Sequence, residues 1–591
     1  MYIYNPIYNK FPQGPSLKGK EVVYKLKINK NINSTAVNFC YCKDFENIDK
    51  KLPMQVNEIG DFLEYSVKVI YSQEGLYWYY FEVYQSSHKF FLQATSSFDV
   101  EPTGNLTTKF QQTVYFKKSS TTSSFKGGVM YHIFVDRFCK KGKVVPRFDL
   151  VLRDDWGGEL YKGEPNYKKI NKECFGGNLK GIISKLDYLK SLNVNTIYLS
   201  PIFEANSYHK YNTADYSKID SMFGSEKDLT QLISKAKNKG INIILDGVFN
   251  HTGDDSIYFN RYNRYNSTGA YQSKDSKFFN WFSFDVFPNK YSSWWGIESL
   301  PQIKKPSQDF NRFIGNKNGI IEKFMKLGLL GFRLDVVDEL NEQTLETICK
   351  AIRKTNKQGI VLGEVWEDAS NKIAYESRKN YFTKNQLDSV MNYPVKDAII
   401  NYLLTKDCTQ LKNTLFMIID HYPKEVQDNL MNILDTHDTA RIKTVLKNNL
   451  DEKNTLKLLK IATLLQYCIV GNPCIFYGDE QGVEGGEAPL CRVCFPWNKQ
   501  NKILKNWYVL LGKLRKNIVF KKGTMNIKIC ENGLFGIERL DGRNKVVVYT
   551  NVSESPKEIT LGDCFYNFET KKKVNKIKLL SNNYAILVNR I

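Results

Sequence analysis

The 591-residue sequence lacks any apolar run long enough to cross a membrane as a helix. Its first ten residues also lack the basic segment and apolar stretch of a secretory signal. We therefore expect a cytoplasmic protein with no membrane partner. The 12 cysteines do not have the dense, regular spacing of a disulfide scaffold, so a reducing compartment is the simpler interpretation.

Clustered basic residues are missing as well. The formal net charge is +22, but the lysines are spread along the whole chain, and no nucleic-acid-binding motif accompanies them. Cys491 and Cys494 form a lone C-x-x-C with no second pair nearby, whereas a structural zinc site needs about four ligands. We predict neither a nucleic-acid partner nor a bound metal from these features.

The length of the chain indicates several domains, because a single hydrophobic core does not grow large enough for 591 residues. Short alternating segments such as Val22-Tyr24-Leu26-Ile28 and Leu76-Trp78-Tyr80-Glu82 predict a β-sandwich. The small polar run KKSSTTSSFK is typical of a linker. The predicted partition is a sandwich at 1–117, a linker at 118–127, a catalytic domain at 128–515 and a β-domain at 516–591.

The catalytic domain alternates apolar strand candidates with amphipathic helical stretches. About eight such strands predict a (β/α)8 barrel. The fold class is therefore a multidomain α/β protein with this barrel, an N-terminal β-sandwich and a C-terminal antiparallel β-domain. The aromatic, polar segment at 252–308 interrupts the alternation and contains Trp281, Trp294 and Trp295. It is too long for a structureless loop, so we expect an inserted B domain.

Acidic and basic side chains follow the apolar runs, where the βα-loops of a barrel gather. Desolvation and like charges make such a group of acids costly unless the site uses them. The polar residues at the ends of the third, fourth, fifth and seventh strands are Asp246, Asn250, His251, Asp335, Glu364, Asp435, His437 and Asp438.

Two of these acids fit the cleavage of a glycosidic bond with retention, which needs a nucleophilic carboxylate and a protonated carboxyl group. Arg333 shares a strand face with Asp335, so it should lower the pKa of this nucleophile. Glu364 lies in the more apolar GEVW context, which favours the protonated form of a general acid. His251 and His437 can donate hydrogen bonds to sugar hydroxyls.

Four segments closely resemble the signature motifs of the α-amylase superfamily (glycoside hydrolase family 13), in their usual order. They are DGVFNH at Asp246–His251, GFRLDVVDE at Gly331–Glu339, GEVW at Gly363–Trp366 and LDTHDT at Leu434–Thr439. Further similar segments include MYHIFVDRF, FGGNLKGI, YHKYNTADY, VMNYPV and FYGDE, so the resemblance spans about 130–497. The combination resembles the neopullulanase, cyclomaltodextrinase and maltogenic amylase branch, or the related amylopullulanases.

The resemblance implies roles for individual residues. Asp335 corresponds to the nucleophile, Glu364 to the acid/base and Asp438 to the third carboxylate, which holds sugar hydroxyls. The residues implied to bind the same glucose are Arg333, His251, His437, His209 and Tyr211. Asp246 and Asn250 correspond to structural supports. The resemblance also implies a starch-binding-like N-terminal sandwich, and relatives often dimerise through that domain, which leaves a homodimer open.

The departures from the family pattern concern calcium binding and the selectivity between glycosidic linkages. Relatives often bind calcium through an Asn/Asp-rich loop after the first strand and an Asp in a GGD motif. Here the loop reads CKKGKVVPRF and the motif carries Asn178, which does not suit a hard cation. No cofactor is predicted as required, and calcium stays open with this altered ligand loop. Val337 and Asp338 replace the common Ala-Asn after the nucleophile, which leaves α-1,4 and α-1,6 selectivity open.

The sequence predicts an enzyme that hydrolyses α-1,4-glucosidic bonds of maltooligosaccharides, cyclodextrins, pullulan or starch fragments. Some α-1,6 cleavage and transglycosylation stay open. Two alternatives are a dedicated α-glucanotransferase, which uses the same three carboxylates, and a catalytically silent glucan-binding protein. The three carboxylates together argue against the silent protein.

Overall fold

The computed structural model describes residues 1–86, 88–117, 125–148, 150–160 and 171–590. Residues 118–124 of the predicted linker lie outside this part of the chain. The chain forms two compact units, the first of which comprises Met1–Ser119, Glu367–Asp388 and Asp407–Asp428. Because this unit also takes in two segments assigned above to the catalytic domain, the proposed domain boundaries stay a prediction.

The first unit contains the β-sandwich. Strand Glu21–Asn29 buries every second side chain, and Val22, Tyr24, Leu26 and Ile28 are fully buried in the sandwich core. This period of two is the signature of a strand with one face in a core. One sheet contains Tyr2–Ile3, Lys10–Phe11, Glu21–Asn29, Gln55–Ile59 and Phe62–Ile70. The other contains Ser16–Leu17, Ala36–Lys43, Lys50–Pro53, Gly75–Gln85, His88–Ala94, Val100–Thr103 and Phe110–Tyr115.

The aromatic strand Gly75–Gln85 is buried on both faces over much of its length. Tyr79 and Phe81 lie in the sandwich core and are fully buried, whereas Tyr80, on the other face, is 4% exposed. Trp78 donates its indole N–H to Asp44 over 2.8 Å, and Tyr80 donates its hydroxyl to Asp49 over 2.9 Å. These two rings are therefore tied into side-chain contacts of the sandwich.

A buried ion pair joins two distant parts of the first unit. Lys10 Nζ lies 2.6 Å from Oδ1 of Asp420, which belongs to helix Thr409–His421, and their side chains are 0% and 1% exposed. Neither charged group is solvated, so each needs the other as its counter-charge. Removing either one leaves a buried charge without compensation.

The second unit contains the barrel, and the predicted fold class is confirmed. Eight strands form one sheet in which every neighbouring pair is parallel. They are β1 Met130–Ile133, β2 Thr196–Leu199, β3 Asn242–Gly247, β4 Gly331–Leu334, β5 Ile360–Gly363, β6 Ser389–Val390, β7 Met431–Asn432 and β8 Asn472–Phe476. A parallel bridge between Met391 and Met431 connects the two ends of the sheet. This bridge closes the ring of strands.

Helices follow the strands along the chain. Helix Glu226–Asn238 begins at Ser225, whose side chain forms a capping box with Asp228, and it buries Leu229 and Leu232 on one face. The other long helices of this unit are Glu342–Thr355, Tyr393–Thr405, Glu452–Cys468 and Lys502–Leu514, and shorter ones include Leu179–Ser184, Leu186–Ser191, Gln308–Gly315 and Ile320–Met325. Among the described residues, no helix is long and apolar enough to cross a membrane.

Two further parts of the second unit lie outside this alternation. Between β3 and β4, the insert has a small aromatic core in which the Phe259 ring packs 4.9 Å from Phe282 and 4.7 Å from Tyr291. After the barrel, six antiparallel strands form one sheet. They are Thr524–Glu531, Leu534–Asp541, Asn544–Asn551, Lys557–Asn567, Lys573–Leu579 and Asn583–Val588.

Candidate active site

The predicted acids meet at the carboxyl ends of the barrel strands. Asp246 lies near the end of β3, Asp335 directly follows β4, and Glu364 directly follows β5. Asp438 lies in the loop that follows β7. Parallel strands end at one face of a barrel, so the local sequence pattern and the fold together place these groups in one crevice.

Arg333 is the centre of the carboxylate cluster. One terminal nitrogen, Nη1, donates to Oδ1 of Asp246 over 2.9 Å and to Oδ1 of Asp335 over 2.7 Å. The other, Nη2, forms an ion pair with Oε2 of Glu364 over 2.8 Å. The guanidinium is fully buried, and it holds the predicted nucleophile and the predicted acid side by side.

The pKa of Asp335 shifts in the direction opposite to the one predicted for the nucleophile. Burial raises the pKa of Asp335 well above its usual range, and the charges of Glu364 and Asp246 add to the rise, although Arg333 opposes it. Arg333 does lower this pKa as predicted, but burial outweighs the guanidinium, which is shared among three carboxylates. Because three carboxylates share one positive charge, the cluster tends to keep one proton. This proton is shared by the cluster and is not assigned to a single residue.

The residue after the nucleophile also contacts the acid. Val336 adopts a left-handed backbone with φ 39° and ψ 55°, which a β-branched side chain rarely does. In this conformation its N–H donates to Oε2 of Glu364 over 2.9 Å. Strain of this kind costs about 1–3 kcal/mol and is characteristic of functional sites.

His437 and Asp438 form a second group with Tyr211. The hydroxyl of Tyr211 lies 2.5 Å from Nε2 of His437 and donates to Asp246 over 2.9 Å. The two rings stack at 5.1 Å with an angle of 2°. Asp438 lies 3.0 Å from the same histidine nitrogen, and its side chain is 34% exposed. Asp438 is thus the most open of the three predicted catalytic carboxylates, as a group that contacts sugar hydroxyls must be.

The histidines of the site are neutral hydrogen-bonding groups. Burial lowers the pKa of His251 to about 4, and it lowers the pKa of His437 and His209 well below the usual value, with the Arg492 charge contributing. His209 Nδ1 accepts the backbone N–H of Tyr211 over 3.1 Å. Among the described residues, no partner bonds Nε2 of His251. That nitrogen is available to a ligand hydroxyl.

Asp246 and Asn250 occupy supporting positions. Asp246 is 1% exposed and accepts hydrogen bonds from Tyr198, Tyr211 and Arg333. Its own pKa is raised by burial, with Arg333 opposing. Asn250 accepts the backbone N–H of Ile303 at its carbonyl over 2.9 Å. It therefore connects the end of β3 to the insert.

Arg492 belongs to the site, although sequence reasoning missed it. Its guanidinium donates to the carbonyl of His437 over 2.7 Å, to Asp438 over 3.1 Å and to the hydroxyl of Tyr208 over 3.0 Å. The sequence drew attention only to the flanking Cys491 and Cys494, which are buried free thiols. In the described part of the chain, no group of three or more His, Cys, Asp or Glu side chains could hold a metal ion.

Trp366 was also missed as a separate site residue. Its ring stacks on Tyr393 at 4.0 Å, and its indole N–H donates to Oε1 of Glu364 over 3.2 Å. The indole is 45% exposed. The sequence feature that could have identified Trp366 as a site residue is its position two residues after Glu364 in the GEVW motif.

Comparisons with known proteins identify several similar chains. An amylopullulanase of Thermoanaerobacterium saccharolyticum is 33% identical over 93% of this chain and 48% of its own length. A cyclomaltodextrinase of Geobacillus thermopakistaniensis is 31% identical over 74% of this chain and 70% of that protein. The chain spans between 32% and 48% of the length of three amylopullulanases that it matches.

Solved structures show the same fold. A cyclomaltodextrinase structure superposes with a TM-score of 0.69 at 23% identity, covering 99% of both chains. The type III pullulan hydrolase from Thermococcus kodakarensis gives a TM-score of 0.68 at 23% identity, covering 99% of this chain and all of that one. The family model described as the catalytic domain of alpha amylase matches residues 116–532. The chain therefore belongs to the α-amylase family.

Proposed function

We propose that the protein is a retaining α-glucan hydrolase that cleaves α-1,4-glucosidic bonds of maltooligosaccharides, cyclodextrins, pullulan or starch fragments. The observation that carries this proposal is the contact of Arg333 with both Asp335 and Glu364. A retaining mechanism needs closely spaced carboxyl groups, about 5–5.5 Å apart, and a shared guanidinium keeps two carboxylates near each other. The names of the relatives support the substrate class.

In this proposal, Asp335 attacks the anomeric carbon while Glu364 donates a proton to the leaving oxygen. A covalent glucosyl ester on Asp335 results. Glu364 then removes a proton from water, whose oxygen attacks the same carbon and releases Asp335. The neutral His251 and His437, with Asp438, hold the sugar hydroxyls while positive charge develops at the anomeric carbon.

The test is incubation of the full chain and an Asp335→Asn variant with maltoheptaose, β-cyclodextrin and pullulan. Chromatography identifies the products, and proton NMR fixes their anomeric configuration. We expect α-configured short maltooligosaccharides from the wild type and none from the variant. Panose or maltotriose from pullulan identifies the linkage that is cut, and longer oligosaccharides measure transglycosylation. A wild type that leaves all three substrates intact contradicts the proposal.

We propose that no calcium is needed at the place where relatives bind it, because the oxygens there are already used. Oδ1 of Asn178 accepts the backbone N–H of Gly181 over 2.8 Å, and Nδ2 donates to the carbonyl of Lys141 over 3.0 Å. The carboxylate of Asp136 accepts from Arg137 and from the backbone N–H of Phe175. An amide N–H directed at a carbonyl oxygen does not fit a cation site.

The remaining proposals concern location and partners. We propose a cytoplasmic location, because ten of the described cysteines carry free thiols, nine of them buried, whereas two, Cys408 and Cys530, are disulfide-bonded. Cell fractionation tests this location. We propose an α-glucan as the partner rather than nucleic acid, and light scattering distinguishes a monomer from a homodimer.

A further inference from the structure

Trp295 is the most exposed tryptophan among the described residues, with 76% of its surface open to solvent. It lies in the short turn Trp294–Gly296 of the insert. By contrast, Trp281 of the same insert is 3% exposed and packs in its aromatic core. A single exposed aromatic side chain is not informative by itself. The residues around Trp295, however, indicate a role for its exposed ring.

Trp295 is the outer layer of a stack of three rings. The Trp294 and Trp295 rings lie 4.8 Å apart at an angle of 16°. On its other side, Trp294 lies 5.2 Å from the imidazole of His251 at an angle of 25°. The stack therefore leads from a residue of the carboxylate crevice to the solvent.

The backbone of Trp295 is held in an unfavourable conformation. Its φ of 50° and ψ of 30° place a bulky residue in the left-handed region. The indole N–H donates to Oε1 of Glu339 over 3.3 Å, and Lys305 pairs with Oε2 of Glu339 over 2.9 Å. Glu339 follows Asp335 by four positions. The loop of the nucleophile thus fixes the orientation of the exposed ring.

Two polar atoms of the stack have no hydrogen-bond partner within the described residues. They are Nε2 of His251 and Nε1 of Trp294, both buried. Buried polar atoms without partners cost free energy, and a ligand can supply what is missing. The ligand that fits has hydroxyl groups for these nitrogens and an apolar face for the exposed indole. A glucose ring offers both.

We propose that Trp295 is a stacking platform for a glucose unit next to the one attacked by Asp335. The proposal rests on the function proposed above and adds the residue that makes affinity depend on chain length. Long maltooligosaccharides gain contact with Trp295, and a sugar confined to the carboxylate crevice does not.

Trp295→Asn tests the platform. Asparagine tolerates the left-handed backbone, so this variant removes the ring and keeps the turn. Phe148→Asn is the matched control, because Phe148 is 53% exposed with φ 47° and its ring packs on Arg147 and Arg264. Trp295→Phe retains a ring without the N–H. Thermal unfolding of each variant checks that the fold is intact.

Calorimetric titration with maltoheptaose uses the Asp335→Asn background, and steady-state kinetics use the active enzyme. We expect Trp295→Asn to weaken maltoheptaose binding about tenfold, to raise KM more than it lowers kcat, and to leave glucose binding within about twofold. Phe148→Asn should match its parent, and Trp295→Phe should recover most of the affinity. Equal maltoheptaose affinity in Trp295→Asn and its parent overturns the platform alone. Absence of cleavage by the wild type overturns the proposed function and, with it, this inference.

Discussion

The backbone N–H of Val336 donates to Oε2 of Glu364 over 2.9 Å. Because Val336 directly follows Asp335, the peptide that carries the proposed nucleophile also orients the proposed acid/base. The N–H that reaches Glu364 belongs to a residue with a left-handed backbone. The residue that links the two groups therefore carries local backbone strain.

Val336→Asn should stabilise the protein. Asparagine populates the left-handed region more readily than valine, so part of the strain of about 1–3 kcal/mol disappears. The backbone N–H remains, and we expect kcat on maltoheptaose to stay within about threefold of the wild type. Chemical unfolding and initial rates measure the two effects. A loss of stability would show that the half-buried valine side chain contributes more than the strain costs.

Asp335→Asn should be inactive and yet more stable than the wild type at neutral pH. Burial raises the pKa of Asp335. The folded state therefore keeps the proton of this carboxyl group to a higher pH than the unfolded chain, in which the pKa of an aspartate is about 3.9. This group's contribution to stability is present below the unfolded pKa and is lost as pH rises through the folded pKa. Melting temperatures at pH 7 and pH 4 should show a gain that shrinks at the lower pH.

A matched control for this gain is Asp275→Asn, since Asp275 is exposed. Its melting temperature should differ little from that of the wild type at either pH. Arg333 keeps Asp246 and Glu364 as partners in Asp335→Asn, so its charge stays compensated. A lower melting temperature for Asp335→Asn at pH 7 would mean that attraction to Arg333 exceeds the cost of burying the carboxylate.

Arg492→Lys should lower kcat/KM by about tenfold or more. A single ammonium group cannot replace a planar fork that reaches Asp438, the His437 carbonyl and the Tyr208 hydroxyl together. Arg312→Lys is the control, because the Arg312 side chain is 63% exposed. Steady-state kinetics on maltoheptaose compare the two. Equal kcat/KM values would remove Arg492 from the positioning of Asp438.

Calcium removal should leave the wild type unchanged. We expect less than about 1 °C difference in melting temperature between EDTA and millimolar calcium, because Asn178 bonds the loop carbonyl of Lys141 directly. Asn178→Asp replaces this donor with a carboxylate that faces the carbonyl, which should cost about 1–3 kcal/mol. Calorimetry measures both. A wild-type melting temperature that falls by several degrees in EDTA would contradict the calcium-independent arrangement.

Much of the fold could be predicted because apolar strand runs and their polar ends are local features. The run from Ile241 contains β3, and the run from Gly331 contains β4. The seventh strand, Met431–Asn432, has only two residues. Strands of two residues are fixed by the parallel bonds of their neighbours more than by their own sequence.

Reasoning from the residues alone predicted the parts of the site that depend on strand ends, and the family resemblance added His209 and Tyr211. Strand alternation placed Arg333 beside Asp335, but no sequence pattern reveals that Nη2 of the same guanidinium meets Glu364 from another strand. Arg492 follows no strand end, and the path of a later loop brings it to Asp438. In the sandwich, an entirely aromatic stretch made either face of the strand a reasonable core.

The ion pair between Lys10 and Asp420 affects which truncated forms of the protein can fold. A shortened gene that omits the codons for the first 117 residues removes the ammonium group that compensates Asp420. In the intact fold, loss of the Lys10 ammonium group alone costs about 3–5 kcal/mol, because the carboxylate of Asp420 stays buried. A boundary drawn in the primary sequence therefore does not separate two autonomous folding units, because a helix encoded after residue 400 depends on a lysine encoded at the start.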